Sequence, residues 1–417
     1  MLFRNVVILD ENFKPRAGAC VGIKDGVICH IGGYAEGYGE EYDCTGLLMA
    51  PAFCSAHSHN AMVLLRGAGT DLPLQRWLNE AIFPKEAQLT GRDIYNGTLA
   101  ACAEMLKYGV ASSNDMYIVS GKDMIRAYRD AGIKANVSAS VVCFDPSDPF
   151  INRPEIRMYE ELFSEVGAND GDIRVDCSVH AEYTNTENSV RAIAELANRH
   201  GAGFHVHISE TKAEHAACIE RRGMTPVRFM EKCGAFENRV IAAHCVYCSD
   251  DDYALMAEKG AFMASCPTSN LKLGSGIPDY SRSFKNGVTV CLGTDGVASN
   301  NNLNMLKEAK LMALLAKGYA CEPTICTAAQ ALKAATRNGW LSQGRTDSGL
   351  IKEGMRADLA LFRIDTVNTK PSPDEADTLL YSCDGEAYMT VVNGKILYKD
   401  GEYFTIDTEK LKYEIGE

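Results

Sequence analysis

The chain of 417 residues contains no run of eighteen apolar residues, so no segment reads as a membrane-spanning helix. Its first twenty residues, MLFRNVVILDENFKPRAGAC, lack the unbroken apolar stretch of a secretory leader and carry acids and a proline instead. Positive charge is in deficit: 42 Lys and Arg stand against 55 Asp and Glu, for a net charge of −13. Such a surface repels phosphate backbones and anionic lipid, so neither a nucleic acid nor a membrane is an expected partner. A small substrate, neutral or locally cationic, is expected instead, and a homo-oligomer is compatible with the sequence. Low-complexity tracts are absent and charged residues make up 23% of the chain, which excludes a disordered class. No second cysteine pair accompanies Cys245-Val246-Tyr247-Cys248, so this spacing reads as free thiols rather than a zinc knuckle. Many of the 16 cysteines, among them Cys54, Cys102, Cys177 and Cys291, lie inside apolar runs. Reduced thiols and a cytoplasmic location are the expectation.

What is present is alternation. The length suits a barrel of about 250–300 residues plus a smaller module. Asn5–Leu9, Cys20–Lys24 and Val27–Ile31 read as strands near the start, the last two joined by an Asp25-Gly26 turn. Ala357–Phe362, Met389–Val392 and Lys395–Tyr398 read as strands near the end, with Asn393-Gly394 as the hairpin turn. Between these ends lie eight apolar strand-like runs, mostly separated by helical patterns: Leu48–Ser55, Val110–Met116, Lys134–Cys143, Ile173–Val179, Gly203–Ile208, Arg239–Ala243, Ala261–Cys266 and Val288–Gly293. Helices at Leu303–Leu315 and Thr324–Asn338 follow. The fold class expected is α/β: a (β/α)₈ TIM-like barrel over 48–349, with a small β-sandwich domain built from 1–47 and 350–417.

The chemistry-bearing residues fall at the ends of these runs. Of 9 histidines, His57, His59, His180, His207 and His244 end or directly follow a strand. His57 and His59 are spaced by two on an extended segment, which points both imidazoles to one side. His205 and His207 repeat that spacing, and Glu210 follows three residues later. Asp295 sits at the end of the eighth run in Leu292-Gly293-Thr294-Asp295-Gly296, where the glycines permit close approach. Each residue alone has a structural explanation. Together, imidazoles and a carboxylate converging on one mouth match a Zn²⁺ or Fe²⁺ site with an open position for water.

These residues resemble the amidohydrolase superfamily. The likeness is carried by PAFCSAHSHNAMVLLRG, the DLPLQRWL segment ending in FPKE, HVHISET, AAHC, CPTSNLKLGSG, LGTDGVASNNNLNM and the late GLIKEGMRADLALF. Within the superfamily the chain is similar to the S-adenosylhomocysteine/5′-methylthioadenosine deaminase branch, a neighbour of the chlorohydrolases and cytosine deaminases. The resemblance implies that His57, His59, His207 and Asp295 hold one divalent metal, zinc first and iron as the alternative. Binuclear relatives need a lysine on the fourth strand, and Ile173–His180 contains none. The catalytic residues implied are His244 and Asp295, which accept and orient the proton of the attacking water, and Glu210, which donates to the ring nitrogen. The reaction implied is hydrolytic deamination of an adenine-type nucleoside with release of ammonia.

Substrate contacts implied by the resemblance are Trp77, Glu86, His180 and Arg153, with Arg157 near the last. The chain departs from the branch at His180-Ala181-Glu182-Tyr183, where relatives read His-Ala-Pro-Tyr. A second arginine near the third strand is also missing from Asn136–Ser140. That absence favours 5′-methylthioadenosine, adenosine or another 5′-modified nucleoside over S-adenosylhomocysteine. Three other readings stay open: a deaminase or chlorohydrolase of a free base, pterin or triazine; a binuclear amidase or phosphoesterase; and a non-catalytic relative.

Overall fold

In the computed structural model, which describes residues 1–117, 121–151, 153–169 and 171–416, both ends of the chain meet in one nine-stranded sheet. The leading segment supplies Leu2–Leu9, Pro15–Lys24, Val27–Gly32, Glu41–Asp43 and Leu47–Pro51. Leu359–Arg363 pairs antiparallel with Leu47–Pro51, and Met389–Val392, Lys395–Lys399 and Glu402–Tyr403 extend the sheet by antiparallel steps. Asp25-Gly26 (φ 50° and 73°) and Asn393-Gly394 (φ 51° and 72°) make the two hairpin turns. Left-handed φ at both central residues is what a two-residue turn between right-twisted strands requires. The two hairpin tips meet: a Cβ on Gly26 would lie 2.8 Å from the Asn393 carbonyl oxygen. Phe3, Val21, Ile28, Met49, Leu359 and Val391 share an apolar cluster of their own between these strands.

The middle of the chain is an α/β arrangement of two five-stranded sheets. In one, Asp295–Gly296, Phe53–His59, Val110–Met116, Lys134–Ser138 and Ile173–Val175 pair in parallel. In the other, Cys177–Ala181, Gly203–Ile208, Arg239–His244, Phe262–Ser265 and Thr289–Leu292 do the same. Helices fill the connections. The Gly91–Lys107 helix starts at Thr90, which forms a reciprocal capping box with Asp93. Glu187–His200 ends on Gly201 in the left-handed conformation, φ 63°. Among the described residues no helix is long and apolar enough to cross a membrane.

Four runs differ from the sequence reading. Leu48–Ser55 is two strands, broken at Ala52, whose N–H donates to Asp358 (2.9 Å) and whose carbonyl accepts from the Trp340 indole (2.9 Å). The chain thus leaves the terminal sheet at Ala52 and enters the parallel sheets. The fourth run breaks at Asp176, whose carboxylate accepts from the Gly203 amide (2.7 Å) and Asn136 (2.8 Å) and pairs with Arg239 (2.8 Å). The third run ends at Ser138 rather than Cys143. The expected helix over 324–338 is divided into Ala328–Ala335 and Arg337–Ser342, where the Thr336 hydroxyl bonds back to the Leu332 carbonyl (2.7 Å).

Candidate active site

Parallel strands place their carboxyl ends along one edge, so residues distant in sequence meet there. The imidazole of His57 lies 4.9 Å from that of His59, 4.8 Å from that of His207 and 5.4 Å from that of His244, centroid to centroid. Several of the strand ends are backbone-strained. Ser209 (φ 50°), His244 (φ 71°), Cys245 (φ 51°) and Asp295 (φ 59°) are all left-handed without being glycine. Such conformations cost about 1–3 kcal/mol each and persist only where the surroundings enforce them. Gly293 is needed for a different reason: a Cβ there would meet the His57 carbonyl oxygen at 2.5 Å.

Each candidate histidine ligand has one ring nitrogen engaged and the other facing the cluster. His57 Nδ1 pairs with His205 Nε2 at 2.9 Å, His207 Nδ1 donates to the His180 carbonyl at 2.7 Å, and His59 Nδ1 donates to the Met116 carbonyl. An Nδ1 that donates leaves Nε2 as the bare ligand nitrogen. His59 Nε2 lies 3.3 Å from His207 Nε2, and Asp295 Oδ1 lies 3.4 Å from His57 Nε2 and 3.3 Å from His59 Nε2. Ligand bonds of about 2.0–2.1 Å in a tetrahedron give edges of about 3.3 Å. His57 Nε2 is buried and has no hydrogen-bond partner. A buried polar atom left bare amid three further ligand atoms is what a cation site requires. Burial lowers the His57 imidazole to about 4 and holds His207 well below its usual value, so both are neutral, the form a metal binds. Burial pushes the Asp295 carboxyl up, but the surrounding imidazoles of His57, His244 and His59 outweigh it and keep the group well below the usual range.

Two further groups form an acid–base pair beside this cluster. His244 Nε2 lies 3.8 Å from Glu210 Oε2. Burial opposes the charged imidazolium of His244, yet the nearby Glu210 and Asp295 carboxylates leave its pKa raised. Burial raises the Glu210 carboxyl. His244 Nδ1 is held by Asn270 Oδ1 at 2.8 Å, and Glu210 Oε1 accepts from Ser275 Oγ at 3.2 Å. The turn under Glu210 is fixed by Glu214, whose carboxylate accepts from the amides of Ser209 (3.0 Å), Glu210 (2.8 Å) and Thr211 (3.3 Å). Asp295 Oδ2 accepts from Ser269 and Ser299. His59, His207, His244, Glu210 and Asp295 all line one pocket.

Residues 48–397 match the amidohydrolase family. The chain is 39% identical to a 5-methylthioadenosine/S-adenosylhomocysteine deaminase of Acetivibrio thermocellus, over 100% of this chain and 98% of that protein. It belongs to the amidohydrolase family. A 5′-deoxyadenosine deaminase of Methanosarcina mazei is 36% identical over 99% of this chain and 95% of its own length. Among solved structures, an adenosine deaminase from Xanthomonas campestris with bound zinc superposes with a TM-score of 0.94 at 29% identity, covering 100% of this chain and 96% of that one.

Of the substrate contacts that the amidohydrolase resemblance implies, Trp77, Glu86 and His180 line the same pocket. Trp77 is anchored by its indole N–H to the Ala68 carbonyl at 2.9 Å. Arg153 is not part of that lining. It pairs with Asp148 (3.7 Å) and Glu155 (3.1 Å) and stacks on Phe150. Glu182, where the resemblance implies a proline, is not part of that lining. It is fully buried and bonds Arg221 at 2.6 Å and also Arg222, on the Lys212–Arg222 helix. Cys245 and Cys248 are buried and free.

Sequence reasoning passed over the side chains that hold the site in place: Asn270, Ser269, Ser275, Ser299 and Glu214. It also passed over Tyr117, Ser140 and Tyr183 in the pocket wall. The only sequence cue for Tyr117 was position, just beyond the Val110–Met116 run, and Ser140 fell inside the expected Lys134–Cys143 run.

A buried carboxyl behind the site supplies a pH test. Glu308 accepts from the Thr268 amide (3.0 Å) and from Asn300 (2.9 Å), tying together the segments that carry Ser269 and Asp295. Burial raises it from 4.5 to about 6. The folded state then holds its proton more tightly than the unfolded chain. Its contribution is fully present below about 4.5 and is lost as pH rises through about 6. Relative to Glu308→Gln, the wild type is expected to lose about 2 kcal/mol across that window. Unfolding midpoints of both proteins at pH 4.5 and pH 7 check this; parallel pH profiles would refute it.

Proposed function

We propose that this amidohydrolase is a hydrolytic deaminase of adenine-type nucleosides. One observation carries the reading. A bare His57 Nε2, two further imidazoles and the Asp295 carboxylate converge beside a Glu210–His244 pair, in a pocket that also exposes Glu86. His57, His59, His207 and Asp295 are the proposed ligands of one divalent ion per chain, zinc by the chemistry of the donor set. Bound there, such a cation supplies Lewis acidity that brings the pKa of water toward neutrality. The relatives' printed activities, deamination of methylthioadenosine, S-adenosylhomocysteine and 5′-deoxyadenosine, point to the same substrate class.

The side chains divide the proton traffic. His244, oriented by Asn270, and Asp295, held by Ser269 and Ser299, take the proton of the attacking water. Glu210, with a raised carboxyl, gives a proton to the ring nitrogen beside the amino-bearing carbon. Negative charge therefore does not build up in the ring as the tetrahedral carbon forms. The relayed proton then leaves with ammonia. Pocket walls of Met62, Leu74, Leu78, Phe83 and Leu273 keep bulk water away.

The 5′ substituent is proposed to be uncharged. Among the described residues no arginine or lysine lines the pocket, and Arg153 would have to leave Asp148 and Glu155 to meet a carboxylate. An ammonia-release assay with zinc-replete enzyme tests both points. Methylthioadenosine, 5′-deoxyadenosine and adenosine are expected to be turned over well, S-adenosylhomocysteine poorly and free adenine, guanine and triazines least. Chelation is expected to abolish turnover, and added zinc to restore it. Preference for the homocysteine conjugate would overturn the 5′ assignment, and preference for a free base would overturn the whole reading.

The architecture proposed around this site is a (β/α)₈ barrel over 48–349, with 1–47 and 350–417 forming a β-sandwich. Support for closure comes from the two seams. A single residue, Asp176, links the two parallel sheets on one side, and on the other Asp295–Gly296 pairs with Phe53–His59 just after Thr289–Leu292. Support for the sandwich comes from the meeting hairpin tips and the separate apolar cluster, with the first crossing a few residues later, at Ala52. A cytoplasmic location is proposed on the free thiols, most of them buried.

A further inference from the structure

His205 and His207 lie on one face of the Gly203–Ile208 strand, yet only His207 is among the groups placed to share an ion. His205 sits one pleat deeper. It is 1% exposed, pairs in register with Ser178 and Ile241 of the flanking strands, and does not line the pocket. What it touches is His57. Its Nε2 lies 2.9 Å from His57 Nδ1, with the two rings inclined at 75°.

The three histidines of the cluster differ in what backs them. His59 and His207 give their Nδ1 protons to the backbone carbonyls of Met116 and His180. A carbonyl can only accept, so it holds the proton on Nδ1. Carboxylates, carbonyls and waters are the usual partners of a metal-binding histidine, and a second imidazole is not. An imidazole nitrogen accepts when bare and donates when it carries the proton. The His57–His205 bond can therefore run in either direction, and the direction decides what His57 can do. With the proton on His57 Nδ1, its Nε2 is a ligand nitrogen. With the proton on His205 Nε2, His57 Nδ1 is the acceptor and the neutral His57 ring carries its proton on Nε2. That alternative is open to the ring, because Asp295 Oδ1 stands 3.4 Å from Nε2 and can accept.

We propose that His205 is a positioning residue for the metal site: its bare Nε2 accepts the His57 Nδ1 proton and so fixes His57 in the tautomer that can ligate. The proposal rests on the one-metal reading of the site and concerns how tightly the ion is held. The His57 backbone is placed independently, by Ser55 Oγ on its carbonyl (3.1 Å) and by the close approach of Gly293. His205 thus acts on the ring alone.

Zinc affinity, measured by chelator competition on wild type, His205→Gln and His205→Phe, is the test. The glutamine oxygen can take the place of Nε2 and accept, whereas phenylalanine keeps a ring and removes the acceptor. His205→Phe is expected to bind zinc about 10–100-fold more weakly than wild type. His205→Gln is expected to stay close to wild type. With the site saturated, His205→Phe should keep a kcat near that of wild type, because His205 is no part of the pocket lining. Undiminished affinity in His205→Phe would overturn the proposal, as would equal losses in both variants or a large loss of kcat at saturating zinc. Imidazole nitrogen NMR of zinc-loaded wild type is a second measurement that needs no variant. His205 is expected to carry its proton on Nδ1 with Nε2 bare. A proton on His205 Nε2 would overturn the proposal even if His205→Phe failed to fold. Wild type that binds no zinc would overturn the metal reading along with it.

Discussion

Replacing Glu210 by glutamine is expected to lower kcat by about 10²–10⁴-fold while leaving bound zinc unchanged. Glu210 stands 3.8 Å from His244 Nε2, outside the groups of residues placed to share an ion. Glutamine has the same shape and keeps the contact with Ser275 Oγ, which lies 3.2 Å from Oε1. The Glu214 carboxylate grips backbone amides at residues 209–211, so the turn survives the exchange. What disappears is a transferable proton. Burial raises the Glu210 carboxyl, which suits an acid that must still carry a proton near neutrality. The loss should fall on kcat more than on KM, because proton donation matters in the transition state and little in substrate binding. Steady-state kinetics with metal analysis of the same preparation decides it. A variant with full metal content that keeps more than a tenth of wild-type kcat would refute the role.

The second large effect is on stability. Asp358 and Lys134 pair at 2.7 Å, with side chains 0% and 3% exposed. Asp358 stands just before the Leu359–Arg363 strand of the terminal sheet, and Lys134 begins a strand of the parallel sheets. The Asp358 carboxylate also accepts from the Asn393 amide (2.9 Å) and from Ser348 Oγ (2.9 Å). One acid thus joins the terminal sheet to Lys134 and Ser348 of the other part while also holding the Asn393 turn of its own. Burial lowers the Lys134 ammonium, with Asp358 pulling it back up, so removing the acid strands a cation in an apolar setting. Asp358→Ala is expected to cost about 3–5 kcal/mol. Lys134→Met combined with Asp358→Asn should recover part of that loss, since no lone charge then remains buried. Denaturant titrations of the single and double variants test it. A single variant within about 1 kcal/mol of wild type would show the pair to be worth no more than a surface one.

Much of this was legible before any coordinates. His57, His59, His207, His244 and Asp295 could be singled out because each ends an apolar run, and parallel strands bring such ends together. The hairpins at Asp25-Gly26 and Asn393-Gly394 were legible because their turn demands left-handed φ at both positions. The breaks at Ala52 and Asp176 were not. Apolar patterning continues through both residues, and only their partners, Trp340 and Asp358 in one case and Gly203 and Arg239 in the other, interrupt the strand.

The sequence alone determined the residue types at the strand ends, the alternation that orders them, and the family. These are local properties, carried by side-chain chemistry and spacing. Only the tertiary structure decided which ring nitrogen each histidine turns to the cluster, and that Arg153 is tied to Asp148 and Glu155. Those facts depend on pairs such as His57 with His205, 148 residues apart. A hydrogen bond is made in space, and no spacing along the chain encodes it.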